Sequence, residues 1–131
     1  MLKFFVYGTL KPGEINYNIY CKDLVIEEKL ALAKGILYDL PLGYPAIIEG
    51  EGWVKGYLLT FKDKSISNTL DALEDYQPGR SPLENEYYRK LITVYNPKQI
   101  QIGLAWGYFM TWEKVKKFKG IKNLSGCWNR I

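Results

Sequence analysis

The hydrophobic pattern divides this chain into short β-prone runs separated by a few helical stretches. Residues 2–7 are almost continuously apolar and predict a central strand, which Tyr7-Gly8-Thr9-Leu10-Lys11-Pro12-Gly13 then breaks with two glycines and a proline. A short helix is expected over 15–21, a second strand over 31–39 and a loop over 39–44. Further strands are expected at 45–49 and 53–61, joined through Gly50-Glu51-Gly52. Ile66, Leu70 and Leu73 recur at helical spacing, so a helix over about 65–76 follows, with Ser65 or Asp63 placed to cap it. Residues 77–84 read as a loop. Strands at 86–95 and 100–110 come next, with Gly103 and Gly107 marking bends, and a Lys-rich helix over about 112–119 lies near the end. Six strands with short connections and no regular βαβ alternation predict an α+β fold. Its expected form is a small mixed, mostly antiparallel β-barrel flanked by short helices.

Composition narrows the chemistry. At 131 residues, 47% hydrophobic and 24% charged, the chain is expected to form one domain over 1–131. No apolar stretch is long enough to cross a bilayer and the N-terminus lacks a signal-peptide pattern, so a cytoplasmic protein with no membrane partner is expected. Cys21 and Cys127 are far apart, with no C-x-x-C spacing, and read as free thiols. There is no histidine, which removes Ser-His and Cys-His catalysis and H-E-x-x-H zinc sites together. Acid/base work must then fall to carboxylates, Tyr or Lys, and neither a metal nor a cofactor is expected.

The net charge of +4 is concentrated at the end, where residues 113–131 hold six basic side chains against one acidic. Lys114, Lys116, Lys117, Lys119 and Lys122 suit a solvated helix face. A nucleic-acid surface is disfavoured, because the aromatic residues lie in the strands and away from this charge.

Two places carry candidate chemistry. The Tyr7-Gly8-Thr9-Leu10 turn can aim successive N–H groups into one concavity and bind an anion, or be a plain tight turn. In Leu70-Asp71-Ala72-Leu73-Glu74-Asp75-Tyr76, Glu74 falls about 40° from Leu70, at the edge of the buried stripe, whereas Asp71 and Asp75 turn toward water. A carboxylate against apolar surface has its proton affinity raised, as a general base or acid requires; a surface Glu whose stem skirts the core would look the same in sequence.

Taken together, Y-G-T-L-K-P-G, L-G-Y-P-A, V-K-G-Y, L-D-A-L-E-D-Y, Y-Y-R, W-G-Y-F-M and S-G-C-W occur in an order and spacing that resembles the γ-glutamyl cyclotransferase-like superfamily, in its short AIG2-like/YtfP-like branch. The resemblance covers essentially the whole chain. It implies a small barrel and a cofactor-free enzyme that cyclises a γ-glutamyl amine or γ-glutamyl amino acid to 5-oxoproline, with Glu74 as acid/base. Tyr7, Gly8, Thr9, Leu10, Tyr87, Arg89 and Tyr108 would be the substrate-binding residues. The partner implied is a small γ-glutamyl compound, and the protein would be a monomer or weak dimer. The alternative is a binding protein of the same fold without turnover. Two departures stand out: Asp75 where many relatives carry Gly, expected to be a solvent-side change, and Gly126-Cys127-Trp128 where many carry Gly-Asp-Trp, expected to affect a loop beside the pocket.

Overall fold

In the computed structural model, which describes residues 2–77 and 85–128, the first apolar run forms β1 (Leu2–Val6). This strand is flanked on both sides, antiparallel to β3 (Pro45–Phe61) and parallel to β5 (Gln101–Phe109). From β5 the pairing passes to β4 (Tyr88–Tyr95) and then to β2 (Val25–Asp39), which also pairs with β3 along most of its length. The ring β3-β1-β5-β4-β2 therefore closes on itself, with a thin seam at Leu32 and Tyr95. A short β6 (Ile121–Lys122) extends it beside Tyr38 and Asp39. One π-helical turn (Tyr17–Cys21) and two helices, α1 (Ile66–Leu73) and α2 (Trp112–Lys117), complete the expected α+β architecture. Of the predicted loop over 77–84, all but Gln77 lies outside the described residues.

Alternation along β1 decides what each side of the sheet does. Phe5 and Tyr7 join a cluster that draws on all five strands of the ring and fills its interior, with Val54, Val94, Ala105 and Phe109. Phe4 and Val6 face the other way, where Ile66 and Leu70 of α1 and Val115 of α2 cover them. The chain thus leaves β1 at a point where the inner and outer cores meet.

Two strands differ from expectation. The run 45–61 is continuous: Gly50-Glu51-Gly52 forms a bulge rather than a break, because the pairing jumps from Ile36↔Ile48 to Lys34↔Trp53 across Gly35. β2 begins six residues early, since its exposed Glu27, Glu28 and Lys29 pair through their backbones with residues 58–60 of β3.

Helix α1 ends at Glu74 in a Schellman turn, in which Asp75 N–H bonds Ala72 O (3.3 Å) and Tyr76 N–H bonds Asp71 O (2.8 Å). Asp75 therefore adopts φ of +53°, a left-handed conformation that glycine occupies without steric cost. The departure at this position is a backbone matter as well as a surface one. Asp75→Gly is expected to shift stability by no more than about 1 kcal/mol in the stabilising direction; thermal melts would show it, and a clear loss of stability would mean that the Asp75 side chain outweighs the backbone strain.

Candidate active site

The loop after β1 turns tightly, with Lys11 N–H on Gly8 O (3.0 Å) and Tyr17 N–H on Thr9 O (3.2 Å). The Asn16 amide donates to Thr9 Oγ1 (2.8 Å). Gly8 is required for space: a Cβ there would lie 2.8 Å from the ring of Pro45, the first residue of β3. Among the described residues, no acceptor takes the N–H groups of Gly8, Thr9 or Leu10. Three successive amide donors are thus left available at the end of β1.

Opposite them stands the end of α1. Tyr87 N–H bonds Glu74 O (3.3 Å) and Glu86 N–H bonds Asp75 O (3.2 Å), which fasten the approach to β4 onto the helix terminus. Between loop and helix lies a cavity of about 230 Å³. Tyr7, Gly8, Thr9, Leu10, Glu74, Tyr87 and Tyr108 all line it, so seven of the eight residues marked out in the sequence are brought together.

The eighth, Arg89, is not part of the lining. Its guanidinium pairs with Asp71 (3.1 Å) and lies 4.9 Å over the Trp106 ring. Asp71 itself is buried and not directed to water as helical spacing suggested. The flank of α1 beyond the apolar stripe meets β4 and β5, where Arg89 and the Tyr108 hydroxyl (2.5 Å) satisfy both carboxylate oxygens. Arg89 is therefore linked to Tyr108 through Asp71.

Electrostatics separates the cavity's groups. The Glu74 carboxyl is pushed up to about 8, first by burial and then by the negative charge of Glu86. Burial also pushes Tyr7, Tyr87 and Tyr108 above their ordinary phenol range, so all three remain neutral hydroxyls near physiological pH. Their protons are committed elsewhere: Tyr7 donates to Tyr108 O (2.8 Å), Tyr87 to Pro45 O (2.7 Å) and Tyr108 to Asp71. Each oxygen can still accept, Tyr7 while also taking the Ile47 N–H (3.3 Å), so the three suit a ligand that donates hydrogen bonds, such as an ammonium group.

Glu86 escaped the sequence reading. It lines the cavity and accepts the hydroxyl proton of Tyr44, which lines it too. Its position depends on the backbone bonds to α1, for which local periodicity carries no signal. The Gly126-Cys127-Trp128 segment lies outside the lining; Trp128 packs in the inner core, and its carbonyl accepts from Lys11 Nζ (2.5 Å), bracing the loop from behind. Neither Cys21 nor Cys127 is in a disulfide. No grouping of three His, Cys, Asp or Glu side chains suited to a metal occurs among the described residues, and no helix among them is long and apolar enough to cross a membrane.

Comparison with known proteins follows the same lines. A protein of Vibrio cholerae serotype O1 described as a candidate gamma-glutamylcyclotransferase is 33% identical over 104 residues, covering 79% of this chain and 77% of its own. The gamma-L-glutamyl-butirosin B gamma-glutamyl cyclotransferase of Niallia circulans is 33% identical over 76 residues, or 58% of this chain; the match spans only 47% of that enzyme. The solution structure of ytfP from Escherichia coli superposes with a TM-score of 0.59 at 27% identity, covering 97% of this chain and 96% of that one. An AIG2-like protein from Mus musculus shares the fold, with a TM-score of 0.71 at 18% identity over 98% of this chain and 88% of its own. The model of the family described as Gamma-glutamyl cyclotransferase, AIG2-like, matches residues 4–130, and the chain belongs to that family.

Proposed function

We propose that the chain is a cofactor-free γ-glutamyl cyclotransferase, which converts a γ-glutamyl amine or γ-glutamyl amino acid into 5-oxoproline and the free amine. The observation that carries this reading is the placement of Glu74, a carboxyl pushed up to about 8 by burial, in a cavity lined by three tyrosines and by the loop whose three amide N–H groups have no acceptor among the described residues.

The substrate supplies both reacting groups. Its α-ammonium, held by the tyrosine oxygens, gives a proton to the Glu74 carboxylate. The freed nitrogen lone pair attacks the γ-carbonyl carbon of the same molecule, and the carbonyl π pair moves onto oxygen. As that pair returns, Glu74 hands its proton to the departing nitrogen and the C–N bond breaks; the ring nitrogen's second proton then passes through Glu74 to the released amine, which leaves as its ammonium with the carboxylate regenerated. The amides of Gly8, Thr9 and Leu10 suit the developing oxyanion or the substrate's own carboxylate. The small cavity favours the curled conformer from which a five-membered ring closes, reducing the entropic part of the barrier. No enzyme nucleophile is needed.

The reaction requires the ionised form of Glu74 together with an ammonium substrate. With the free-enzyme carboxyl at about 8, kcat/KM is expected to rise about tenfold per pH unit below that value and to fall again where the free substrate's ammonium ionises. In the complex the bound ammonium favours the carboxylate, so the acid limb of kcat should lie at lower pH. Release of 5-oxoproline from a panel of γ-glutamyl compounds, followed across pH, checks both points. Release from none of them by folded protein would leave a binding role for the cavity.

A further inference from the structure

The cavity holds more negative charge than the proposed reaction uses. Glu74 and Glu86 both line it, and no Lys or Arg does so among the described residues. Glu74 is matched by the substrate's α-ammonium. Glu86 has the neutral Tyr44 hydroxyl as its partner, and among the described residues no cation pairs with it.

Both carboxylates are half-buried, but the residues around them differ. Tyr7, Tyr87, Tyr108 and Pro45 form the buried wall beside Glu74, whereas Thr9, Asn16, Tyr44 and Glu86 are half-buried and mark the open side. Glu86 and Tyr44 line the same cavity as Glu74, so a γ-glutamyl compound with its reacting end at Glu74 would have its departing amine within reach of that side.

We propose that Glu86 is a specificity-determining residue, which selects γ-glutamyl compounds whose departing amine carries a second positive charge and disfavours those whose departing amine carries a carboxylate. The inference rests on the cyclotransferase reading. A cation at the far end of the amine would neutralise Glu86 without displacing Tyr44, because a carboxylate has lone pairs for both. A carboxylate there would meet like charge in a site only partly open to water, where the repulsion is screened incompletely. A neutral end should fall between. Electrostatic selection of this kind acts on kcat/KM and weakens as salt is added.

The test uses three γ-glutamyl amides of matched length, with 4-aminobutyl, n-butyl and 3-carboxypropyl groups on the departing nitrogen. 5-Oxoproline release is measured for the wild type, Glu86→Gln and Glu86→Lys. Gln keeps an acceptor for Tyr44 and removes the charge. Any change in Glu74 that follows affects all three compounds alike, so ratios of kcat/KM are the quantity to compare. In the wild type the aminobutyl compound should exceed the carboxypropyl compound by at least roughly tenfold, with the gap narrowing in salt. The ratio should fall to within about threefold in Glu86→Gln and invert in Glu86→Lys. Equal rates in the wild type, a preference for the carboxylate, or an unchanged ratio in Glu86→Gln would overturn the assignment and leave the cyclotransferase reading standing. No 5-oxoproline from any of the three would remove that reading, and this inference with it.

Discussion

Replacing Glu74 by Gln is expected to abolish most turnover and, at the same time, to make the protein more stable at alkaline pH. The activity loss follows from the proton path: Gln preserves shape but can neither take the ammonium proton nor return it to the leaving nitrogen. General acid/base catalysis is commonly worth two to four orders of magnitude, so a fall of at least about 100-fold in kcat is expected. The stability gain follows from the same carboxyl. Its folded value of about 8 lies far above the unfolded range near 4.3. Below the unfolded value both states are protonated and the group is neutral in the balance. As pH rises through the window from about 4.5 to 8, the unfolded chain ionises while the folded one still holds its proton, and folding weakens. Above about 8 both are ionised and the penalty is complete, on the order of 5 kcal/mol. Gln never carries that penalty. Melts of the two proteins should coincide near pH 4.5 and separate by roughly 15–20 °C at pH 8.5, with the variant higher. Near-wild-type turnover would remove Glu74 from the mechanism, and a pH-independent difference in melting would mean that its carboxyl is not held protonated by burial. The two readouts together distinguish a catalytic carboxyl from a structural one, which would cost stability when replaced.

How much of this was legible in sequence depends on how local each feature is. β1, α1 and the aromatic strands could be read because their apolar periodicity is local and their burial follows it. Glu74 could be placed by angle alone, since Ile66 and Leu70 fix which side of α1 is covered. Asp71 could not, because its burial depends on Arg89 and Tyr108, which are distant in the chain and reach it only when β4 and β5 pair at Arg89↔Tyr108. Glu86 was hidden for the same reason. The first half of β2 was missed because Glu27, Glu28 and Lys29 are exposed and offer no apolar alternation; β3 supplies their order through backbone pairing. Asp75 differs from these. A residue directly after a helix end, followed by aromatic Tyr76, is a recognisable Schellman pattern, and it held the signal for a left-handed backbone.

A second large effect is expected far from the carboxylates, at Gly56 in the V-K-G-Y stretch. Gly56 sits in β3 opposite Ala31 of β2, at the level where Val6 of β1 pairs with neighbouring Tyr57. A Cβ built on Gly56 would come within 2.2 Å of the Val6 carbonyl oxygen and 2.8 Å of the Phe5 ring. The ring could tilt, but the carbonyl belongs to the backbone of the central strand and is held by that pairing. Ala at this position must therefore push the end of β1 away from β3 by about an ångström, in a core packed too closely to absorb it cheaply. A cost of roughly 3–5 kcal/mol is expected, at the upper end for a single substitution because backbone and not side chain must give way. The displaced segment leads directly into Tyr7-Gly8-Thr9-Leu10, so the folded fraction of Gly56→Ala should also bind substrate poorly, with KM raised more than kcat is lowered, since the amide donors move while Glu74 stays on its helix. Urea melts and steady-state kinetics on the same preparation measure both. Wild-type stability would mean that β1 can move freely against β3. Lost stability with an unchanged KM would mean that the loop keeps its place through Asn16 and Pro45 and not through β1.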